Sequence, residues 1–290
     1  MKIGILGNGA WGSAVATLFQ ENGHEITILE NGDVVSDDSV IFSAIPTQAL
    51  REVVSTIQFS PSSIFINGAK GIEQDTHLLP YEIVKELLPE VEYLTLMGPS
   101  FAGEVKSKMP TLVNLGYRNE EAAQRVKDLM QTDYFRVRLT KSIRSLELSA
   151  AFKNIYAIAS GIAEGLGFGT NTRVKLILLA IEEVERLRLA LGFSSDDQSL
   201  PATVGDLILT SSSEESRNFR FGEGLTHSAP EEALAQIKET VEGYYTALSV
   251  PHFEIQTSSS YPLAHFVYDV CYSESEVSIR DRFMEFVKRA

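Results

Sequence analysis

Three groups of residues in this 290-residue chain have the types and spacing to do chemistry. The first is Gly7-Asn8-Gly9-Ala10-Trp11-Gly12, a G-x-G-x-x-G run. Between a strand and a helix, Gly7 permits a tight turn, Gly9 lets backbone approach a pyrophosphate, and Gly12 allows close helix–strand packing. The helix N-terminus then offers N–H donors and partial positive charge to the phosphates. A plain tight turn is the alternative, because such glycine runs are common. Glu30, at the end of the next strand, stands where an acid can bond the adenosine ribose 2′-OH, or is simply a solvated strand end. No arginine occupies Asn31 or Gly32 to receive a 2′-phosphate, so NAD is favoured over NADP.

The second group centres on Lys153. Ser149, Ala150, Lys153, Ala157, Ser160 and Gly161 form one stripe of a helical pattern running from Ser142 to Glu164. Small side chains at this spacing let a neighbouring element come close and confine the lysine. A confined ammonium needs a carboxylate, or its pKa falls toward a range useful for proton transfer. Asp206, flanked by apolar residues, is the leading partner, and a lysine snorkelling to water is the alternative. The third group is Ser216-Arg217-Asn218. Ser216 can cap a helix, and a helix N-terminus with an arginine and an amide receives phosphate well. A surface arginine beside a cap is the competing reading. The five histidines show no ligand or triad spacing, so no metal site is expected.

These groups need elements to position them. Lys2 to Leu6 reads as a strand, Gly7 to Gly12 as a loop, Ser13 to Asn22 as a helix and Glu25 to Leu29 as a second strand. Further strands are expected at Val40 to Ala44, Ile64 to Asn67, Tyr93 to Met97, Thr111 to Leu115 and Phe135 to Leu139, with helices at Gln48 to Ile57 and Leu79 to Leu88. Such alternation predicts a Rossmann-like, doubly wound parallel sheet, an α/β fold. From about residue 141 the pattern turns to long helices with almost no strand signal. The expectation is a dinucleotide-binding domain over residues 1–140 and an all-α substrate and catalytic domain over 141–290.

Composition bounds the function. At roughly 150 residues per domain the length suits two domains. Apolar residues make up 44% and charged residues 22%, ordinary globular usage. A net charge of −14 disfavours nucleic acid and anionic lipid as partners. The longest clean apolar run, Leu176 to Ile181, is far too short to cross a bilayer. With the single cysteine Cys271 there is no intrachain disulfide, and a cytoplasmic protein is expected.

Taken together, the motifs resemble the NAD(P)-dependent glycerol-3-phosphate dehydrogenases of the bacterial type. The resemblance covers nearly the whole chain. Besides the glycine loop it includes Ala69-Lys70-Gly71-Ile72-Glu73, Met97-Gly98-Pro99-Ser100-Phe101-Ala102 with Glu104-Val105, and Glu147-Leu148 leading to Phe152-Lys153-Asn154. Gly165-Leu166-Gly167-Phe168-Gly169, Gly205-Asp206-Leu207 with Thr210, Ser216-Arg217-Asn218 and Val241-Glu242-Gly243 complete it.

The resemblance implies hydride transfer between a nicotinamide and C2 of dihydroxyacetone phosphate, giving sn-glycerol 3-phosphate for lipid synthesis. It implies Lys153 as the catalytic lysine, with Asp206 and Asn154 orienting it, and Lys70 as a second lysine near substrate and nicotinamide. Gly98 and Ser100 match substrate contacts, and Ser216, Arg217 and Asn218 match the group holding the substrate phosphate. Ala10, Trp11, Asn31, Ala102 and Glu242 fall at dinucleotide contacts, Lys70 is placed among them by its nearness to the nicotinamide, and Arg217 is a further candidate. A homodimer is expected by the same analogy.

Three departures stand out. The connection from Glu30 to Ser39 is short where the family has a long stretch, which removes cover from the adenosine side. Leu178-Leu179-Ala180 replaces a threonine-arginine-glycine step, and Thr170 stands where an aspartate is common. They motivate one alternative, a non-catalytic descendant that senses a dinucleotide or sugar phosphate. Another is a related dehydrogenase of 2-oxo or hydroxy acids, disfavoured by Ser216 to Asn218.

Overall fold

Short runs of β-branched and aromatic residues build the first half of the chain. Val40–Ser43 and Ile64–Asn67 are buried on both faces, as strands inside a helix-covered parallel sheet must be. The computed structural model describes residues 1–194 and 201–289. Among them is a seven-stranded sheet formed by β1 (Lys2–Leu6), β2 (Glu25–Leu29), β3 (Val40–Ser43), β4 (Ile64–Asn67), β5 (Glu92–Met97), β6 (Thr111–Gly116) and β7 (Phe135–Thr140). The strand order is β2-β1-β3-β4-β5-β6-β7. Helices α1 (Ala10–Glu21), α2 (Thr47–Ser55), α3 (Pro80–Leu87), α4 (Ala102–Lys106) and α5 (Glu120–Met130) connect the strands.

One pair breaks the parallel pattern expected from alternation: β5 and β6 run antiparallel, while every other neighbouring pair is parallel. The chain turns back after β5 through α4, and Met97, the last residue of β5, pairs with Asn114 of β6.

Side chains alternate between two cores on the faces of the sheet. Ile3, Ile5, Phe42 and Ile66 pack with Phe19, Val105 and Val126, whereas Leu6, Ile41 and Phe65 pack with Leu50, Val54, Ile83 and Val84. α1 begins at Ala10, three residues earlier than the sequence suggests, so Gly12 lies in its first turn. A Cβ on Gly12 would stand 1.9 Å from the Gly7 carbonyl oxygen, and this contact holds loop and helix together.

The remaining helices are α6 (Ile143–Gly165), α7 (Thr170–Ala190), α8 (Asp206–Ser211), α9 (Arg217–Leu225), α10 (Pro230–Ala235), α11 (Glu242–Ala247), α12 (Val250–Thr257), α13 (Pro262–Tyr272) and α14 (Ile279–Arg289). A π-helical turn, Pro201–Gly205, leads directly into α8. No described helix is long and apolar enough to cross a membrane.

The chain divides into two compact units. Met1–Lys70 and Leu78–Glu147, with Pro201 and Ala202, make the first; Gly71–His77 and the described residues from Leu148 onward make most of the second. The sequence reading put its boundary between residues 140 and 141 and did not separate Gly71–His77. Ile143 belongs to a core of the first unit, which explains why the first turns of α6 cluster there. Residues 195–200 and 290 of the expected second domain lie outside the described residues.

Within the second unit, α6 is packed unusually close. A Cβ on Gly161 would meet the Phe219 carbonyl oxygen at 1.9 Å, and one on Gly222 would meet that of Ile158 at 2.1 Å. Backbone of α9 therefore rests directly on backbone of α6. Gly222→Ala is expected to destabilise the protein by roughly 1–3 kcal/mol through overpacking, read as a lower urea midpoint. An unchanged midpoint would show that the two helices separate at no cost.

Candidate active site

The glycine loop sits at the carboxyl end of β1, between neighbours β2 and β3, where the strand order reverses. Such a switch point is where an open α/β sheet binds its ligand. The first turn of α1 carries no acidic side chain, and nothing lies within 4 Å of where a Gly9 Cβ would be. Exposed N–H groups and open space fit a pyrophosphate. Trp11 packs edge-on to Phe42 at 6.2 Å, and its buried Nε1 has no hydrogen-bond partner among the described residues.

Glu30 and Asn31 are exposed just beyond β2. The Glu30 N–H donates to Asp33 Oδ2 at 2.8 Å, and Asn31 Oδ1 accepts from Thr56 Oγ1 at 3.2 Å. A carboxylate pair at this end suits ribose hydroxyls and repels a 2′-phosphate. Ala102 opens α4.

Lys70, Gly98 and Ser100 come together in the first unit. Lys70 Nζ donates to the Gly98 carbonyl oxygen at 2.9 Å, and Ser100 Oγ donates to the same oxygen at 3.1 Å. The turn carrying Lys70 is clamped from behind by Asn67. The Ala69 N–H donates to Asn67 Oδ1 at 2.9 Å, and Asn67 Nδ2 donates to the Ala69 carbonyl at 3.1 Å.

In the second unit Lys153 is 5% exposed and Asp206 is 2% exposed. Lys153 Nζ lies 3.1 Å from Asp206 Oδ1 and donates to Thr210 Oγ1 at 2.6 Å. Thr210 lies one helical turn beyond Asp206, and its hydroxyl donates back to the Asp206 carbonyl at 2.7 Å. With its proton committed there, the oxygen presents a lone pair to the ammonium. Sequence reading quoted Thr210 but gave it no role. Its spacing of four from Asp206 on a helix is the signal that could have done so.

Asn154 takes part in a further set of hydrogen bonds. Its Oδ1 accepts from Asn218 Nδ2 at 3.0 Å, and Asn218 Oδ1 accepts the Gly243 N–H at 2.8 Å. The two amides thus tie α6, α9 and the start of α11 together, and Asp206 and Thr210 hold the lysine. Ser216 caps α9, its Oγ accepting the Phe219 N–H at 3.3 Å. Arg217, the first residue of that helix, is exposed, whereas Glu242, the first residue of α11, is buried.

A second residue without an assigned role is Glu147. Its side chain is fully buried, and burial pushes its pKa up to about 7 against the hydrogen bonds it accepts. No group of metal-ligating side chains occurs among the described residues.

Removing the charge that balances Lys153 has a definite expected cost. Asp206→Asn should destabilise the fold by about 3–5 kcal/mol, because it leaves a buried ammonium without its counter-charge. Chemical denaturation measures this, and a loss below about 1 kcal/mol, the range of exposed pairs, would mean the pair is solvated.

The known proteins that this chain resembles agree in kind. The NAD-dependent glycerol-3-phosphate dehydrogenase C-terminus model matches residues 142–279. Its N-terminal counterpart matches residues 2–38 and 31–123, two stretches that meet at the short connection after β2. A glycerol-3-phosphate dehydrogenase [NAD(P)+] of Citrifermentans bemidjiense is 33% identical, with 99% of this chain and 97% of that protein covered. One from Staphylococcus epidermidis is 32% identical over 100% of this chain and 99% of its own length. The crystal structure of glycerol-3-phosphate dehydrogenase from Coxiella burnetii superimposes with a TM-score of 0.88 at 26% identity, covering 99% of each chain. The chain belongs to the NAD-dependent glycerol-3-phosphate dehydrogenase family.

Proposed function

We propose that this protein reduces dihydroxyacetone phosphate at C2 with NAD(P)H, giving sn-glycerol 3-phosphate, a precursor of glycerophospholipids. The observation that carries this reading is the buried Lys153–Asp206–Thr210 cluster in a chain of this family.

When bound, the dinucleotide supplies a hydride to the ketone carbon. The ketone oxygen gains negative charge and must take a proton. Lys153 donates it, and its positive charge stabilises the developing alkoxide. Asp206 and Thr210 fix the ammonium before reaction, so no reorganisation is needed as charge forms. Lys70, Gly98 and Ser100 bind the substrate, with Lys70 adding positive field. Ser216, Arg217 and Asn218 hold its phosphate, and this remote binding energy fixes the carbonyl in place. Gly7, Gly9, Ala10, Trp11 and Gly12 receive the dinucleotide, together with Ala102, Glu242 and the edge formed by Glu30 and Asn31. NAD is the preferred form, because Glu30 and Asp33 disfavour a 2′-phosphate. The proposal extends to a cytoplasmic location, in keeping with the single cysteine, and to a homodimer that sedimentation can test.

Loss of NADH absorbance with dihydroxyacetone phosphate, and not with unphosphorylated ketones, tests the reaction. Lys153→Ala should lower kcat by roughly two to four orders of magnitude, as expected for a proton donor. A loss below about tenfold would remove it from that role. Arg217→Ala should chiefly raise KM for dihydroxyacetone phosphate, and an unchanged KM would count against the phosphate assignment.

A further inference from the structure

Glu147 is a costly residue to place where it is. A carboxylate out of water is expensive unless it is paired or well hydrogen-bonded. The groups that face it are Tyr93 and Thr95 from β5, Asn67 from β4 and the backbone of Tyr81 in the first turn of α3. Arg144, one turn earlier on its own helix, pairs with Glu82 at 2.8 Å. Tyr93, the other titratable group in contact, is held protonated, its pKa pushed far up by burial and by the carboxylate itself.

The hydrogen bonds have a direction. Glu147 Oε2 accepts the Tyr81 N–H at 2.9 Å, and Oε1 accepts from the Tyr93 hydroxyl and from Asn67 Nδ2, the latter at 3.3 Å. All three partners donate, so the ionised form satisfies them. Asn67 has two amide hydrogens. Nδ2 lies within reach of Glu147, of the Ala69 carbonyl and, at 3.5 Å, of Thr95 Oγ1, while Oδ1 receives the Ala69 N–H. An acceptor-only carboxylate favours the end of the Asn67 amide that faces it. That choice is the one that lets the amide clamp both backbone groups of Ala69. Turned the other way, Asn67 would set its NH2 against the Ala69 N–H and open the turn.

We propose that Glu147 is a positioning residue for the reaction: through Asn67 and Ala69 its carboxylate sets the turn that carries Lys70. The inference rests on the proposed role of Lys70, whose Nζ is held on the Gly98 carbonyl at 2.9 Å. Protonating Glu147 removes the negative charge that draws the Asn67 amide N–H toward it and loosens the clamp.

The direction with pH follows. With a folded pKa of about 7 against an ordinary value of 4.5, the native state binds the extra proton across that interval. Glu147 thus lowers stability as pH rises from 4.5 towards 7, while turnover rises over the same range. Activity and stability run in opposite senses.

The test uses the full-length enzyme with NADH and dihydroxyacetone phosphate. Glu147→Gln keeps the volume but cannot offer acceptors to both Asn67 and Tyr81. It should lower kcat roughly ten- to a hundredfold, the scale of a misplaced reacting group, with KM changed less than about threefold. The acid limb of the wild-type kcat profile near pH 7 should be absent in the variant. A Glu147→Gln enzyme with wild-type kcat and pH profile, even if it melts lower, overturns the proposal. Lys70→Met separates the two readings. If it turns over like wild type, the role of Lys70 fails; if it is slow while Glu147→Gln is normal, only the role of Glu147 fails. In the Lys70→Met background, Glu147→Gln should cause no further loss of kcat. An equal further loss would show that Glu147 acts elsewhere and overturn the proposal.

Discussion

The contact on which the second unit turns is a buried ion pair. Lys153 and Asp206 meet at 3.1 Å with side chains 6% and 3% exposed. Taking each charge out of water costs several kcal/mol, and mutual attraction offsets that only if the geometry is held. A single carboxylate oxygen would leave the ammonium free to swing. Thr210 removes that freedom by standing on the same helix as Asp206 and accepting from the same nitrogen. In the cluster α8 supplies Asp206 and Thr210, and α6 supplies Lys153. The π-helical turn before Asp206 belongs to the same constraint, since it delivers the chain into α8 with Asp206 as the first residue.

Holding α6 in place is the work of its small residues. Glycines 161 and 222 let the backbones of α6 and α9 touch, and a Cβ on Gly243 would stand 2.5 Å from the Asn154 carbonyl oxygen. At such separations no water fits between helices, and this keeps the ion pair in a low-dielectric setting. The Asn154–Asn218–Gly243 chain of hydrogen bonds then fixes rotation of the helices about one another. The close contacts that join α6 to α9 also bring the start of α9, with Ser216 and Arg217, to a fixed place on α6.

Much of this was legible in the chain because it is local. The strands β1, β2 and β4 have the limits that the apolar runs suggest, and the glycine loop lies where strand and helix demand it. The small-residue stripe predicted confinement of Lys153, and Asp206 was the right partner, because an isolated acid among apolar residues must meet a base. What escaped was non-local. The antiparallel pairing of β6 with β5 is a non-local feature that alternation of strands and helices does not show. Gly71–His77 counts with the second unit although its neighbours on both sides belong to the first. The link from Asn154 to Asn218 joins residues far apart in the chain and has no local signature. Glu147 sat in a recognised motif without a role, since nothing near it in sequence shows that Asn67, Tyr81 and Tyr93 converge on it.

The short connection after β2, where the two matched stretches of the N-terminal family model overlap, is not slack. Gly32 turns it with φ at 89°, and the Gly32 N–H donates to the Thr56 carbonyl at 3.1 Å. Val35 N–H donates to Gln58 at 2.8 Å, and Gln58 N–H returns a bond to Asp33 at 3.0 Å. Val34 and Gln58 thereby form a parallel bridge beside the end of α2. A few residues thus satisfy backbone groups that a longer insertion would otherwise cover. The edge strand β2 remains open to solvent, with Ile28 39% exposed. Glu30 and Asp33 stand on that open edge, so the charge of a phosphate arriving there meets like charge with little protein to shield it.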